Sequence, residues 1–157
     1  MTSVRGYVGV VGPSGAVHAS LSQAAEEVGH LVGSAGAVVV TGGGTGVMEA
    51  ASRGAVRAGG VALGILPGAD RREANPHLTV SLPTGLGEIR NALLVRSVDV
   101  LVAIGGSWGT LSEIALACRT GVPVYALGGW QLPDDGPVVV ADAQEAATRA
   151  LAHLTAS

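Results

Sequence analysis

Short apolar runs alternate along the chain with glycine-bounded segments of helical spacing. Tyr7 to Val11 reads as a first strand, closed by Gly12-Pro-Ser-Gly15. Ser20-Leu-Ser-Gln23 has the form of a capping box, and Leu21, Ala24, Ala25, Val28 and Leu31 continue a helix that stops near Gly33. Ala37 to Val40 predicts a second strand, which runs into the glycine-rich turn TGGGTGVMEA, Thr41 to Ala50. The helix beyond it turns Val47, Ala50, Ala51, Gly54 and Ala58 inward, small residues that let it lie close on the sheet. Its Glu49, Arg53 and Arg57, four apart, read as a solvated ion-pair ladder on the outer face.

Val61 to Leu66 predicts a third strand, and the polar, proline-bounded stretch Pro67 to Pro76 a mobile loop. Arg71 and Arg72 in it can close over a phosphate, although solvation is the favoured reading. Leu78 to Leu82 is a weak short strand, and Pro83-Thr-Gly85 opens a helix to about Ser97, with Ile89 and Leu93 on one face and Arg90 and Leu94 on another. Arg90 in so apolar a helix either snorkels to the rim or serves a site.

The centre of the pattern is DVLVAIGGSWGTLSE, Asp99 to Glu113. Val100 to Ile104 is unbroken and apolar, as a parallel strand covered on both faces should be. Gly105, Gly106 and Gly109 stop it, and from Thr110 a helix follows through Leu111, Ile114, Ala115 and Cys118. A helix beginning on a glycine turn presents unpaired amides and a positive dipole end, which suits an anion. Thr110-Leu-Ser-Glu113 also has capping-box spacing, and spacing alone favours that role for Glu113 over a catalytic carboxylate. Trp108 within the turn can pack against a partner chain or stack on a flat ligand. Val122 to Leu127, introduced by Gly121, and Val138 to Val140 complete the strands, and Asp142 caps a last helix through Ala146, Ala150 and Leu151.

Alternating strands and helices with glycine turns at strand ends predict an α/β fold: a Rossmann-like, open, mostly parallel sheet with helices on both faces, as a single domain over residues 1–157. Ligands of such sheets lie beyond the carboxyl ends of the strands at the switch point, where the Gly12, Gly42 and Gly105 turns would converge.

Composition narrows the chemistry. A length of 157 residues with 48% hydrophobic and 13% charged residues gives a globular core. The net charge of -3, with scattered arginines as the cations, disfavours nucleic acid. There is no lysine, which excludes a Walker P-loop, and Gly9, Gly12 and Gly15 do not form the dinucleotide fingerprint, which disfavours hydride transfer. His18, His30, His77, His153 and Cys118 share no metal-ligand spacing, so no metal is expected. Cys118 reads as a core residue, and one cysteine allows no disulfide within the chain. Without a leader or an apolar run of about 20 residues, the chain reads as an unprocessed cytoplasmic protein with no membrane contact.

GGGTGVMEAA at Gly42, RNALLVRSVD at Arg90 and GGSWGTLSE at Gly105, in this order, carry a family likeness. The chain resembles the "lysine decarboxylase-like" proteins of the lonely-guy type, which are Rossmann-like, usually dimeric phosphoribohydrolases that split a nucleoside 5'-monophosphate into base and ribose 5-phosphate. Their motif P-G-G-x-G-T-x-x-E is matched at Gly105, Gly106, Gly109, Thr110 and Glu113, and Arg90 and Glu113 fall on the family's catalytic arginine and glutamate. Ile104 stands for the motif's proline and Asn91 for the lysine that commonly follows the arginine. Both departures resemble a sister branch of short bacterial nucleotide-binding proteins, which is also similar to the molybdenum cofactor carrier of algae.

The resemblance implies a homodimer that binds a nucleoside monophosphate or another phosphorylated small molecule. Glu113 would stabilise the oxocarbenium-like transition state or activate water, and Arg90 would hold the phosphate or leaving base. The amides of Gly106, Ser107, Trp108, Gly109 and Thr110 would bind the phosphate, Gly42, Gly43 and Gly44 would line the sugar, Ser14 and Met48 would approach the base, and Gly12 and Gly105 belong to the same nucleotide-binding turns. No cofactor is required for hydrolysis. A non-catalytic carrier or sensor would use the same turns to hold a nucleotide or molybdopterin cargo, with Glu113 only a cap.

Overall fold

The computed structural model describes residues 3–155. Seven strands form one sheet: β1 Tyr7–Val11, β2 Val38–Thr41, β3 Val61–Leu66, β4 Val80–Pro83, β5 Val100–Ile104, β6 Val124–Leu127 and β7 Val138–Val139. Their order is β4-β3-β2-β1-β5-β6-β7, every neighbouring pair is parallel, and the order reverses between β1 and β5. The central strands are valine-rich because both faces are covered, and β-branched side chains fill a doubly buried pleat. Five helices cover them: α1 Ala19–Ser34, α2 Val47–Arg57, α3 Arg90–Arg96, α4 Trp108–Thr120 and α5 Ala143–Thr155. Val8, Val10, Val39, Val100, Val102 and Ile104 pack towards α1, α2 and α5. Val11, Val40, Leu101 and Ala103 pack towards α3 and α4 through Leu94, Val95, Ile114 and Ala117. The Rossmann-like reading is borne out, with helices on both faces.

Several local expectations are corrected. α1 begins at Ala19, capped by the His18 ring that accepts from the Ser20 amide, so the Ser20 box does not form. The arginines of α2 do not make a ladder along their own helix: Arg53 reaches Glu26 of α1 at 3.0 Å, Arg57 pairs with the same carboxylate, and Glu49 faces His77. Arg53 and Arg57 hold the Glu26 carboxyl below its ordinary pKa, chiefly through its hydrogen bond with Arg53. The small residues of α2 serve α1 as much as the sheet: Cβ atoms on Gly29 and Gly54 would overlap backbone of the facing helix, the Ala51 and Glu26 carbonyls respectively.

The stretch after β3 is pinned. It carries a 3-10 turn over Arg71–Glu73, Arg72 pairs with Asp70, and Arg71 donates to the Ser81 carbonyl, so neither arginine lies over an anion site. The helix expected from Pro83 starts later, as a 3-10 turn over Gly87–Ile89 running into the seven-residue α3. Cys118 is exposed, because α4 turns Thr110, Glu113, Ile114 and Ala117 inward instead. Gly121 in the left-handed region ends α4, and Asp142 caps α5 by accepting from the Glu145 amide, both as the pattern predicts.

Candidate functional site

The carboxyl ends of β1 and β5 flank the reversal in strand order, and the turns leaving them carry the site. Gly12 lies so close to the Ile104 carbonyl and Val47 that no Cβ fits. The turn after β1 is fastened to that after β2: the Pro13 carbonyl accepts from the Val47 amide at 3.1 Å, and Thr45 Oγ1 from the Gly15 amide at 2.9 Å. Beyond β2, the Gly43 amide donates to Thr41 Oγ1, the Gly43 carbonyl accepts from the Asn75 amide, and the Gly44 carbonyl from Asn75 Nδ2. Buried Asn75 therefore holds the second turn from the loop after β3.

α4 begins two residues earlier than its pattern suggests. Ser107 is its N-cap, accepting from the Thr110 amide at 3.2 Å and sharing a hydrogen bond with the Thr110 hydroxyl. The turn also holds two residues, Ser107 and Trp108, where the family motif has one position. With Ser107 as cap, Glu113 has no amide to return to and turns inward; among the described residues its carboxylate forms no hydrogen bond. It is 8% exposed. Burial pushes its pKa from 4.5 up to about 7, and the positive field of Arg90 offsets only part of that.

Arg90 stands opposite, at the start of α3. Its Nη1 donates to the Ile65 carbonyl at 3.0 Å, its Nε is buried without a partner, and burial lowers its basicity against the pull of Glu113. The guanidinium lies against Gly42, where a Cβ would overlap Nη1. Arg90 and Glu113 share the walls of one cavity of about 360 Å³ with Gly12, Ser14, Met48, Ser107, Gly109 and Thr110. Pro67, Gly87, Glu88 and Asn91 complete it. A volume of this size suits a small ligand.

The expected residues do not all meet there. Gly43 and Gly44 are engaged with Asn75, and Gly42 underlies Arg90. The Gly105 amide donates to the Leu127 carbonyl, and Gly106 is covered by the Trp130 ring. Trp108 is 79% exposed and meets Trp130 edge to face, with ring centroids 4.8 Å apart. Sequence reasoning passed over Asn75 and Glu88 and took Asn91 only as a departure from a motif. The signal for Asn91 was its place beside Arg90, on the turn of helix that enters the cavity.

Among the described residues no three His, Cys, Asp or Glu side chains are grouped to hold a metal, and no helix is long and apolar enough to cross a membrane. The geometry offers a cation, an anion-competent helix end, a buried carboxyl and an uncharged amide around one opening.

Comparison with known proteins bears on the family and the fold. The model of the SLOG cluster4 family, which is lonely-guy-like, matches residues 5–156. An uncharacterized protein of Archaeoglobus fulgidus is 38% identical over 120 residues, 76% of this chain and 78% of the relative. The molybdenum cofactor binding protein of Rippkaea orientalis superposes with a TM-score of 0.83 at 34% identity, over 88% of this chain and 91% of that one. The molybdenum cofactor carrier protein of Chlamydomonas reinhardtii does so with a TM-score of 0.87 at 33% identity, over 97% and 99%.

Proposed function

This chain belongs to the SLOG cluster4 family, and we propose that it binds a phosphorylated, ring-bearing small molecule in the cavity at the switch point, with the molybdenum cofactor as its carried cargo. One observation carries the reading: the N-terminus of α4 and the Arg90 guanidinium open on the same cavity. Ser107 Oγ takes the Thr110 amide, which leaves the preceding amides of Trp108 and Gly109 for phosphate oxygens. Arg90 adds a charge-assisted hydrogen bond to the same group. The likeness to carrier and binding proteins at 33% and 34% identity supports the cargo.

Glu113 favours a second reading, a nucleoside 5'-monophosphate phosphoribohydrolase, because it caps nothing and faces the cavity beside Arg90. In that reaction water attacks the anomeric carbon as the bond to the base breaks. The bonding pair leaves with the base, and Glu113 takes the proton of the water. The reading also includes one nucleotide-binding domain over residues 1–157 and a cytoplasmic setting, supported by a single cysteine without a disulfide partner. It includes a homodimer too, supported by the exposed Leu86, Ile89 and Leu93.

The deciding experiment incubates purified protein with AMP and, separately, with molybdopterin, scoring bound ligand and released products, beside Glu113→Gln. Stoichiometric binding without products is the expected result. Release of base and ribose 5-phosphate, lost in the variant, would make the protein a hydrolase instead.

A further inference from the structure

One side chain of the cavity has no role so far. Asn91 follows Arg90 on α3, lines the cavity and is 8% exposed. Its Oδ1 is buried without a partner, and among the described residues its carboxamide forms no hydrogen bond. An unsatisfied buried amide costs stability, and a leucine of similar volume would avoid that cost. Folding alone therefore gives no reason for asparagine here.

We propose that the Asn91 carboxamide reads the ring of the bound ligand. A primary amide sets an acceptor and a donor side by side, the complement of a heteroaromatic edge on which an amino group adjoins a ring nitrogen, as in an adenine or a pterin. This rests on the proposed function, in which the phosphate is held elsewhere, at the α4 end and Arg90. The charges of the cavity argue the same way. Arg90 is the one cation among the described residues that line it and is already assigned to the phosphate, so a second phosphate group has little to attract it. A lysine after the arginine, as in the resembling family, would add general attraction for anions. An asparagine contributes none and offers direction instead.

The test is calorimetric binding of matched probes to wild type, Asn91→Leu and Asn91→Asp. One pair is AMP and purine riboside 5'-monophosphate, which lacks the amino group; the other is 6-hydroxymethylpterin phosphate and its 2-desamino counterpart. In one pair the wild type should prefer the amino-bearing member by roughly tenfold. Asn91→Leu should erase that preference by weakening the amino-bearing probe more than its partner, with a melting temperature equal to or above that of wild type. Asn91→Asp, which keeps an acceptor for the amino group and loses the donor to the ring nitrogen, should keep the preference while weakening both members of the pair. The pair that responds identifies a nucleobase or a pterin. A preference that survives Asn91→Leu overturns the assignment, as does an equal loss on both members in that variant with a fallen melting temperature. Failure of wild type to bind any probe overturns the proposed function, and this inference with it.

Discussion

Glu113 ties the site to the stability of the fold. Burial makes it hold its proton up to about pH 7, whereas in the unfolded chain it loses that proton near 4.5. Between those values the folded chain binds more protons than the unfolded one, so stability falls as pH rises through the window and is level above it. The difference amounts to roughly 3 kcal/mol at its fullest. Glu113→Gln removes the titration, so its melting temperature should exceed that of wild type by more at pH 8 than at pH 5; parallel melting curves at the two pH values would show a carboxyl that water reaches freely. The same proton separates the two functions. A carrier should bind phosphate less well as Glu113 ionises, whereas a hydrolase that needs the carboxylate should turn over faster through the same range. Gly42 allows a cleaner probe of Arg90. The atoms a Cβ there meets first belong to the far end of that side chain, so Gly42→Ala should displace the guanidinium, weaken phosphate binding roughly tenfold and lower stability by no more than about 1 kcal/mol, the net worth of its hydrogen bond to the Ile65 carbonyl. Titration of both proteins with AMP measures it.

Among the elements, the contact between α1 and α2 inverts an ordinary rule. Replacing glycine by alanine within a helix usually adds up to about 1 kcal/mol of stability. At Gly29 and Gly54 the new methyl would enter the carbonyl of the facing helix, and backbone cannot yield as a side-chain end does. Gly29→Ala and Gly54→Ala should each destabilise by about 1–3 kcal/mol, read as a lower urea midpoint. A gain in either would mean that the helices are free to separate. Gly29 was not legible as a contact and Gly54 read as one with the sheet, because a glycine in a helix does not say which neighbour it admits. The strands were legible, since a buried parallel strand must be an unbroken apolar run, and Val100 to Ile104 is one. The starts of α1 and α4 were not. Ser20 and Thr110 each have good capping spacing, yet His18 and Ser107 precede them and take the cap first. At α4 that shift of start changes the reading of the site, because it turns Glu113 from the cap into the cavity.

For the whole molecule, the alternation of strands and helices made the fold and the neighbourhood of the site readable, since ligands of open α/β sheets gather where strand order reverses. The pairing of Arg90 with Glu113 came from family likeness, as the two lie on separate helices and no local pattern joins them. The outer surface of α3 and the turn before it carries the last consequence. Leu86, Ile89 and Leu93 are 46%, 72% and 43% exposed, an apolar group that a free monomer would leave in water. If two chains cover it by isologous contact, light scattering on a sizing column will give twice the chain mass. Ile89→Arg should then give monomers at an unchanged far-ultraviolet spectrum, because the side chain it replaces is not part of the core. The site should register the loss. α3 is only seven residues long and presents Asn91, Leu94 and Val95 inward, so the helix that bears Arg90 would lose its outer support. Such a short helix depends on tertiary contacts to persist. Ile89→Arg should therefore weaken ligand binding without touching the ligand, and a monomer that binds as tightly as the native protein would show that α3 is held by the sheet alone.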